Sequence, residues 1–508
     1  MAGLLNNRVQ IFFLFLSCSI IFNFGALTET YYFDDDIGRA AVGYGYYNLR
    51  GFGEYADTGR PVAEIVIRLL SGWFGRPTDV IALDVHPLTK IISVMCLAFA
   101  GWVVYTSIMK KQTWSALFVS LAVVFSPYYI ACIQYRFDSA TMGMALFFST
   151  LPFCPGCRRP YICHFVCYLV SLNLYQSFMT VPVLLIMVIF LQDYFFDKIT
   201  KKDNIYPLLF SLVAIFSAFV CYKIVFAMLP SRDYTTIHSK FIPMSYYGWV
   251  VFKINLMKLL EIFFLPYKGA AGVVLVGLIL LSSLGVVSNA YQKKRHVLKD
   301  SLLYLFASVL ILIAALLPFS LLYSPVVMAR TLAGAQFVLV LWLLPISWLS
   351  SWFLRIIMSA FILLYILLCA LNAAITNAIR AQYDYEVRLF GEILESSESG
   401  YLPSTIYIND KEAFFAKPWL RSVKNTLQNY PFTRHILHNT YMMNNLVWAE
   451  RQAQLYNAEV QMKYLYMQKE WTLNEICRWP LKIITHEYNL YGMKDIRVVD
   501  MTKASCPK

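Results

Sequence analysis

The chain has 508 residues; 59% of them are hydrophobic and only 14% are charged. Soluble domains carry charge on roughly a quarter of their residues, so this composition excludes a soluble enzyme or binding module. The net charge of +13 does not indicate nucleic-acid binding, because most of the excess lies in short basic clusters that orient membrane helices. No nucleic-acid partner is expected.

Apolar runs of about 20 residues, long enough to cross a bilayer, recur along the first three quarters of the chain. The first run is long for a signal-peptide core and no small-residue cleavage site follows it, so we expect it to remain as a span. The pattern predicts an all-α polytopic membrane protein with about 11 spans. The predicted spans are 8–27, 88–109, 114–130, 139–153, 161–175, 179–196, 205–226, 269–289, 301–322, 332–350 and 355–376.

Basic clusters in the connections all fall on one side of this predicted topology. By the positive-inside rule that side is cytoplasmic, which places the N-terminus inside and, with an odd number of spans, the tail outside. The basic residues concerned are Arg8, Lys110, Lys111, Arg158, Arg159, Lys198, Lys201, Lys202, Lys293, Lys294, Arg295, Lys299 and Arg355.

Three consecutive carboxylates, Asp34, Asp35 and Asp36, follow the first predicted span. Like charges in contact repel, which raises the pKa of one of them and suits it to accept a proton. A solvated turn between a helix and a loop is the other interpretation of such a triplet. Further along this outer loop, 28–87, the stretch 64–74 is apolar at helical spacing and predicts a helix lying in the membrane interface.

Two arginines, Arg136 and Arg330, lie near the outer ends of predicted spans, where ionisable groups are costly and usually serve a site. Anchoring at the interface by snorkelling is the alternative. Asp138 offers Arg136 a local ion pair. Further polar side chains at the same membrane level, or in the first loop, are Arg60, Gln176 and Lys268.

These groups outline a site on the outer leaflet with chemistry suited to a lipid-linked sugar. Guanidinium groups match a lipid phosphate bidentately, and a carboxylate deprotonates an acceptor hydroxyl. We predict that Arg60, Arg136, Asp138, Gln176, Lys268 and Arg330 bind the donor phosphate or substrate.

The remaining outer parts are a second loop and a tail. The loop 230–268 contains an amphipathic stretch, 246–265, that predicts another interfacial helix. The domain organisation predicted is a membrane module, 1–376, followed by a small α+β domain, 377–508. In that domain 404–408 and 496–499 have the pattern of strands, and 440–470, without Pro or Gly, has that of helix.

The chain contains 11 cysteines, most of them within predicted spans. Cys154 and Cys157, with Cys163, His164 and Cys167 nearby, have partly zinc-like spacing. They straddle a turn and the next helix, so we predict no metal site. Cys477 and Cys506 lie in the outer tail, where a disulfide would persist, and the sequence does not establish whether they pair.

The first outer loop resembles that of GT-C glycosyltransferases, polytopic enzymes that use polyprenyl-phosphate sugars and carry paired acids after the first span. Within that class the chain resembles the serotype-converting Gtr glucosyltransferases of bacteria and their phages. The similarity covers Asp35-Asp36-Ile37-Gly38-Arg39, then Gly43, Asn48 and Gly59-Arg60-Pro61, with Tyr135-Arg136-Phe137-Asp138 and Leu174-Tyr175-Gln176 as further positions.

The resemblance implies an inverting transfer of glucose from undecaprenyl-phosphate-glucose to a sugar of the lipopolysaccharide O-antigen, on the periplasmic side of the bacterial inner membrane. Its catalytic residues would be Asp35 or Asp36 as base, with Arg39 holding a carboxylate ionised. It implies functional partners: a flippase and a synthase of the donor lipid. It implies no cofactor and no obligatory metal, although Asp34 to Asp36 are able to coordinate one.

Two other functions fit parts of the pattern. An O-antigen polymerase shares the many spans and outer arginines, but needs no acidic cluster directly after the first span. A polyprenyl-linked sugar transporter or flippase would show two related halves with broken helices at matching positions, and the chain shows none. The acceptor sugar and the linkage are not readable from the sequence.

Overall fold

A computed structural model provides the fold, and it is mostly helical with one small sheet near the C-terminus. The residues that it describes are 7–33, 35–42, 55, 58–71, 83–154, 160–196, 202–228, 233–349, 351–395, 403–409, 420–437, 446–455, 458–465, 468, 471–485 and 488–501.

Helices dominate because long apolar segments in lipid must satisfy their backbone polar groups internally. The α-helices of the described residues are Arg8–Thr28, Asp35–Val42, Pro61–Leu70, Leu88–Val103, Trp114–Leu121, Ile130–Gln134, Ser139–Thr150, Pro160–Leu174, Val181–Phe195, Lys202–Met228, Asp233–Ser239, Tyr246–Phe264, Ala270–Gln292, Val297–Ser320, Gln336–Leu343, Leu354–Glu395, Arg421–Asn429, Leu446–Leu455 and Leu473–Ile476. A π-helical turn, Val104–Ile108, and several 3₁₀ turns join them, among them Pro127–Tyr129, Gln176–Phe178, Leu265–Tyr267, Ala329–Ala335 and Leu344–Trp348.

Within the part of the chain that is described, eight helices are long and apolar enough to cross a membrane. They overlap eight of the predicted spans, although the last helix continues well beyond its predicted end at 376, and two shorter apolar helices, Ser139–Phe153 and Tyr161–Leu174, match two more. The eight long helices are Arg8–Thr28, Leu88–Ile108, Gln176–Phe195, Tyr206–Phe226, Ala270–Gln292, Val297–Ser320, Ala329–Trp348 and Leu354–Glu395.

The segment predicted as one span, 114–130, is instead a broken helix. It ends at Leu121, passes through a turn, and resumes with a 3₁₀ turn that begins at Pro127, where proline starts a turn without needing a backbone donor. Almost all of 115–135 is buried. Irregular backbone at membrane depth is tolerated where protein surrounds it, and this break leads the chain into the loop 135–138.

The first span packs against its neighbours through close approaches and polar contacts to backbone carbonyls. A Cβ on Gly101 would lie 2.7 Å from the ring of Phe15, so a small residue is needed where these helices meet. Asn372 donates to the carbonyl of Phe22 at 2.7 Å, and the Lys90 ammonium donates to the carbonyl of Ala26 at 2.7 Å. These contacts hold the C-terminal half of the first span in place.

The last long helix, Leu354–Glu395, has 42 residues and is therefore about 63 Å long at 1.5 Å per residue. The hydrocarbon core of a bilayer is about 30 Å thick, so roughly half of this helix extends beyond it. It crosses the predicted domain boundary at 376–377 without a break. Its last turns, with Leu389 and Phe390, pack against the sheet of the tail.

The tail sheet has five strands: β1 (Thr405–Asn409), β2 (Gln461–Tyr464), β3 (Leu481–Ile484), β4 (Asn489–Met493) and β5 (Ile496–Asp500). Their order in the sheet is β2-β1-β5-β4-β3. The strands β1 and β5 correspond to the two predicted strands and pair in parallel, while β4 and β5 form an antiparallel hairpin. The prediction of helix across 440–470 is correct for Leu446–Leu455 and wrong at Gln461–Tyr464, where β2 adds to the sheet edge beside β1.

Both stretches predicted as interfacial helices form helices in the structure. The first begins at Pro61 and ends at Leu70, and residues 72–82 lie outside the described part. The second, Tyr246–Phe264, begins after Ser245, whose side chain accepts from the Gly248 amide as an N-cap.

Candidate active site

Asp36 holds two separate loops together. It lies in the first turn of the helix Asp35–Val42 and is fully buried. Its carboxylate accepts hydrogen bonds from the amides of Arg136 (2.7 Å), Phe137 (3.3 Å) and Phe33 (3.3 Å). Asp36 therefore fixes the loop 135–138 against the segment that leaves the first span.

Burial raises the pKa of Asp36 to about 7, although the nearby Arg39 guanidinium and the amide donors favour its charged form. Desolvation dominates because no water reaches the carboxylate. A pKa near neutrality suits proton transfer, but both oxygens of Asp36 already accept backbone amides. This geometry makes Asp36 a residue that positions its neighbours.

Arg39 lies between two carboxylates, one turn beyond Asp36 on the same helix. Its guanidinium is 3.8 Å from Asp36 and 3.1 Å from Asp138, and all three side chains are buried. The local pair that the sequence suggests between Arg136 and Asp138 is not the one formed, since Asp138 pairs with Arg39.

Tyr55 completes this cluster, although it is not among the site residues predicted from the sequence. Its hydroxyl donates to Asp138, and the Arg39 guanidinium lies 5.0 Å from the centre of its ring. Its amide donates to Glu64 at 3.1 Å. The only signal in the sequence was the abundance of aromatic residues in the first loop.

Of the two carboxylates of the acidic triplet that the structure describes, Asp35 is the one with solvent access. It is partly exposed, whereas its neighbour Asp36 is fully buried, and Asp34 lies outside the described residues. Because Asp36 and Arg39 anchor the first turn of the helix, Asp35 is held at the edge of a rigid network. A group that abstracts a proton needs both access and a fixed position, and Asp35 has both.

Arg136 is occupied by contacts within the protein. Its guanidinium forms an ion pair with Asp84 at 2.7 Å, donates to the carbonyl of Thr30, and lies 4.6 Å from the centre of the Tyr32 ring. These contacts join the end of the first loop to its beginning. They favour an architectural role for this side chain over phosphate binding.

Gln176 and Gly59 fix the position of Arg60. The Gln176 amide donates to the carbonyl of Gly59 at 3.1 Å and to the hydroxyl of Tyr222 at 2.8 Å. Gly59 has φ +75°, and a Cβ there would lie 2.5 Å from the ring of Phe226, so only glycine fits. The structure thus brings Gln176 to the site as a support for the loop.

Two of the predicted site arginines, Arg60 and Arg330, have no carboxylate within 4.0 Å in the described part of the chain. Arg60 lies over the rings of Tyr55 (5.1 Å) and Tyr175 (5.8 Å). Arg330 lies 4.9 Å from the centre of the Tyr135 ring. Both are partly exposed, so their charge is available to a ligand.

Tyr135 connects Arg330 to the acidic cluster. Its ring packs edge-on against Phe33 at 4.9 Å, and the Phe33 amide donates to Asp36. Lys268, by contrast, is exposed after the turn Leu265–Tyr267 and forms no hydrogen bond or ion pair with these residues in the described structure. Its assignment to the site stays a prediction.

Comparison with known proteins places the chain among glycosyltransferases. The sequence profile of the family described as Glucosyl transferase GtrII matches residues 24–349, which include every predicted site residue. A 55.3 kDa uncharacterized protein in the gtrB 5' region of Salmonella phage P22 is 28% identical over 146 residues, 29% of this chain and 27% of that protein. The chain thus aligns with about a quarter of its relative's length. No solved structure matches.

Proposed function

The chain belongs to the Glucosyl transferase GtrII family, and we propose that it transfers glucose from a polyprenyl phosphate, undecaprenyl-phosphate-glucose, to a sugar of the O-antigen repeat. The product would be a glucosylated O-antigen, which amounts to serotype conversion. The observation that carries this proposal is the buried network of Asp36, Arg39 and Asp138, which holds the partly exposed Asp35 just beyond the first span.

The reaction proposed is a single displacement with inversion at the anomeric carbon. Asp35 accepts the proton of an acceptor hydroxyl while that oxygen attacks C1 of the glucose. The bond from C1 to the phosphate oxygen breaks, and the polyprenyl phosphate leaves with the electron pair. General-base assistance of this kind contributes about 10²–10⁴-fold.

The leaving phosphate would be bound by Arg60 and Arg330. Both cations are partly exposed, and the ring of Tyr135 links Arg330 to the segment of Asp36. A planar guanidinium matches phosphate oxygens bidentately, and it stabilises the charge that develops as the bond breaks. Arg136 and Gln176 would act indirectly, by fixing the loops.

We propose that the site faces the periplasm, with the N-terminus in the cytoplasm and the tail outside. The basic clusters on the opposite connections support this orientation. Cys477 in the tail is disulfide-bonded, and disulfides persist in oxidising compartments such as the periplasm. An alkaline phosphatase fusion after residue 501 should be active and one at Lys294 inactive; the reverse result would contradict the orientation.

The direct test of function is expression of the chain in an O-antigen-producing host, together with a synthase of the donor lipid and a flippase. O-antigen isolated from this strain should gain one hexose per repeat, measured by mass spectrometry, and linkage analysis would identify it. The matched control is the same strain with Asp35→Asn. Unmodified O-antigen in the wild-type strain would overturn the proposed donor or acceptor.

A further inference from the structure

Lys223 is a cation near one end of a membrane span, and the reaction described above does not use it. It lies on the helix Lys202–Met228, three residues before the end of the span Tyr206–Phe226, which is about 4.5 Å along the helix axis. In the proposed orientation this end is the outer one. Positive charges concentrate at the cytoplasmic ends of spans, and an ionisable group within a span is costly and usually serves a site.

Three aromatic rings flank the Lys223 ammonium. It lies 5.8 Å from the centres of the Phe219 and Phe226 rings and 5.6 Å from the centre of the Phe241 ring. Among the residues that the structure describes, no carboxylate lies within 4.0 Å of this ammonium. Ring faces attract a cation, but they offer no lone pairs to its three N–H donors. Because the side chain is partly exposed, anionic oxygens of a ligand can reach those donors.

The ring of Phe226 also contacts the loop that carries Arg60. A Cβ on Gly59, the residue before Arg60, would lie 2.5 Å from this ring. On the same helix, the hydroxyl of Tyr222 donates to the carbonyl of Gly59 at 3.2 Å. A single aromatic ring therefore separates Lys223 from the loop of Arg60, one of the two cations proposed to bind the leaving phosphate.

The ring of Phe241 joins Lys223 to the segment of the other proposed cation. Phe241 pairs with Leu322 in an isolated antiparallel bridge, and Leu322 begins the segment that leads to Arg330. Lys223 thus contacts, through one ring each, the elements that carry Arg60 and Arg330. The donor is a phosphodiester with one negative charge, and the polyprenyl phosphate that leaves gains a second. A further cation at this place would stabilise that second charge.

The surroundings of Lys223 favour a phosphate carried on a lipid over a soluble anion. Only 22% of the most apolar stretch of the span Tyr206–Phe226 is buried, so this helix lies at the edge of the bundle and faces lipid. The side chain of Phe241 is 53% exposed and offers an apolar surface beside the ammonium. A lipid phosphate in the outer leaflet meets Lys223 from the bilayer, and its first prenyl units have apolar side chains to pack against.

We propose that Lys223 binds the phosphate of the lipid-linked donor on its way from the outer leaflet to Arg60 and Arg330. The inference rests on the proposed function and deepens it, because it gives the donor a point of entry at the side of the helix Lys202–Met228.

The test measures binding of two probes to the purified full-length chain in nanodiscs of neutral phosphatidylcholine. The probes are a short-chain prenyl-phosphate glucose and the corresponding prenyl phosphate. Lys223→Met keeps the length of the side chain and its packing against the rings, but removes the charge. We expect it to bind both probes about tenfold or more weakly, with a melting temperature near that of wild type. Lys223→Arg restores a cation and should recover most of the affinity.

Two controls separate phosphate binding from other effects. Lys253→Met changes an exposed lysine of the helix Tyr246–Phe264 and should bind both probes as wild type does. A short-chain prenyl glucoside, which lacks the phosphate, should bind equally to wild type and to Lys223→Met.

Four results would overturn the inference. Unchanged binding of both phosphate probes by Lys223→Met, while the wild type still adds hexose to O-antigen, would make Lys223 an interface anchor and leave the proposed function standing. An equal loss of the glucoside would indicate a structural role. If phosphatidylglycerol in the nanodisc abolishes the difference between wild type and Lys223→Met, Lys223 binds the phosphate of any lipid. A wild-type chain that binds neither phosphate probe and adds no hexose would remove the proposed function as well.

Discussion

The guanidinium of Arg39 lies 3.1 Å from the carboxylate of Asp138, so a residue of the loop that follows the first span neutralises the residue that precedes the helix Ser139–Thr150. Arg39 also lies 3.8 Å from Asp36. One buried cation therefore compensates two buried carboxylates, and neither loop can move without exposing an uncompensated charge. This pairing explains how a short helix outside the membrane spans keeps a fixed position.

Arg39→Met should destabilise the protein by about 3–5 kcal/mol, because it leaves buried carboxylates without their partner. Thermal unfolding in detergent measures the loss. Adding Asp138→Asn to Arg39→Met should cost less than the two single changes summed, since the groups interact directly. Strict additivity of the two changes would show that the pair contributes no interaction energy.

Asp35→Asn should lower glucose transfer by about 10²–10⁴-fold, with membrane level and melting temperature near those of wild type, because Asp35 is partly exposed. Transfer is measured as hexose added to O-antigen per unit of expressed protein. Asp384→Asn is the matched control, since Asp384 is an exposed aspartate with a side chain 65% accessible. Near wild-type transfer by Asp35→Asn would show that another residue acts as the general base.

Stability should depend on pH through Asp36. Burial raises its pKa in the folded protein to about 7, well above its value in the unfolded chain, so the folded state binds the extra proton. The extra proton stabilises the folded state, and this contribution to the free energy of unfolding is complete below about pH 4. It is lost as the pH rises through 7. The melting temperature of wild type relative to Asp36→Asn should therefore fall between pH 4 and 8. A constant difference across that range would contradict the shift.

Arg330→Ala and Arg136→Ala should affect different properties. Arg330→Ala removes a charge-assisted contact worth about 1.5–3 kcal/mol, which corresponds to roughly tenfold or more in kcat/KM for the donor, and Lys should rescue it only in part. Arg136→Ala breaks the ion pair with Asp84 and should lower the melting temperature more than Arg330→Ala does. If Arg330→Ala transfers glucose at the wild-type rate, Arg330 is an anchor at the membrane interface.

Gly59→Ala should be more harmful than Gly269→Ala, although both residues have positive φ, +75° and +71°. A positive φ strains any residue that carries a Cβ, by about 1–3 kcal/mol, and both variants incur a backbone cost of that order. At Gly59 the new Cβ also meets the Phe226 ring at 2.5 Å, whereas at Gly269 nothing lies within 4 Å. Equal melting temperatures and equal transfer rates in the two variants would show that the ring moves aside freely.

Features that depend only on residues close together in the sequence could be predicted from the sequence. Spans such as Arg8–Thr28 and Ala270–Gln292 were predicted to within a few residues, because the bilayer requires a long apolar run whatever surrounds it. The strands at 404–408 and 496–499 were predicted from local alternation. The acidic motif and its position after the first span were also visible, as was its resemblance to the glucosyltransferases.

Other features required the tertiary structure. Helical composition at 440–470 was outweighed by pairing of β2 with β1, and burial allowed the broken backbone at Pro127. The contacts of Arg39 with Asp138, of Arg136 with Asp84 and of Tyr55 with Asp138 each join segments that are far apart in the chain. A side chain's charge is local, but whether it is buried, paired or open to a substrate is decided by what packs against it, and the packing of distant segments leaves no local pattern.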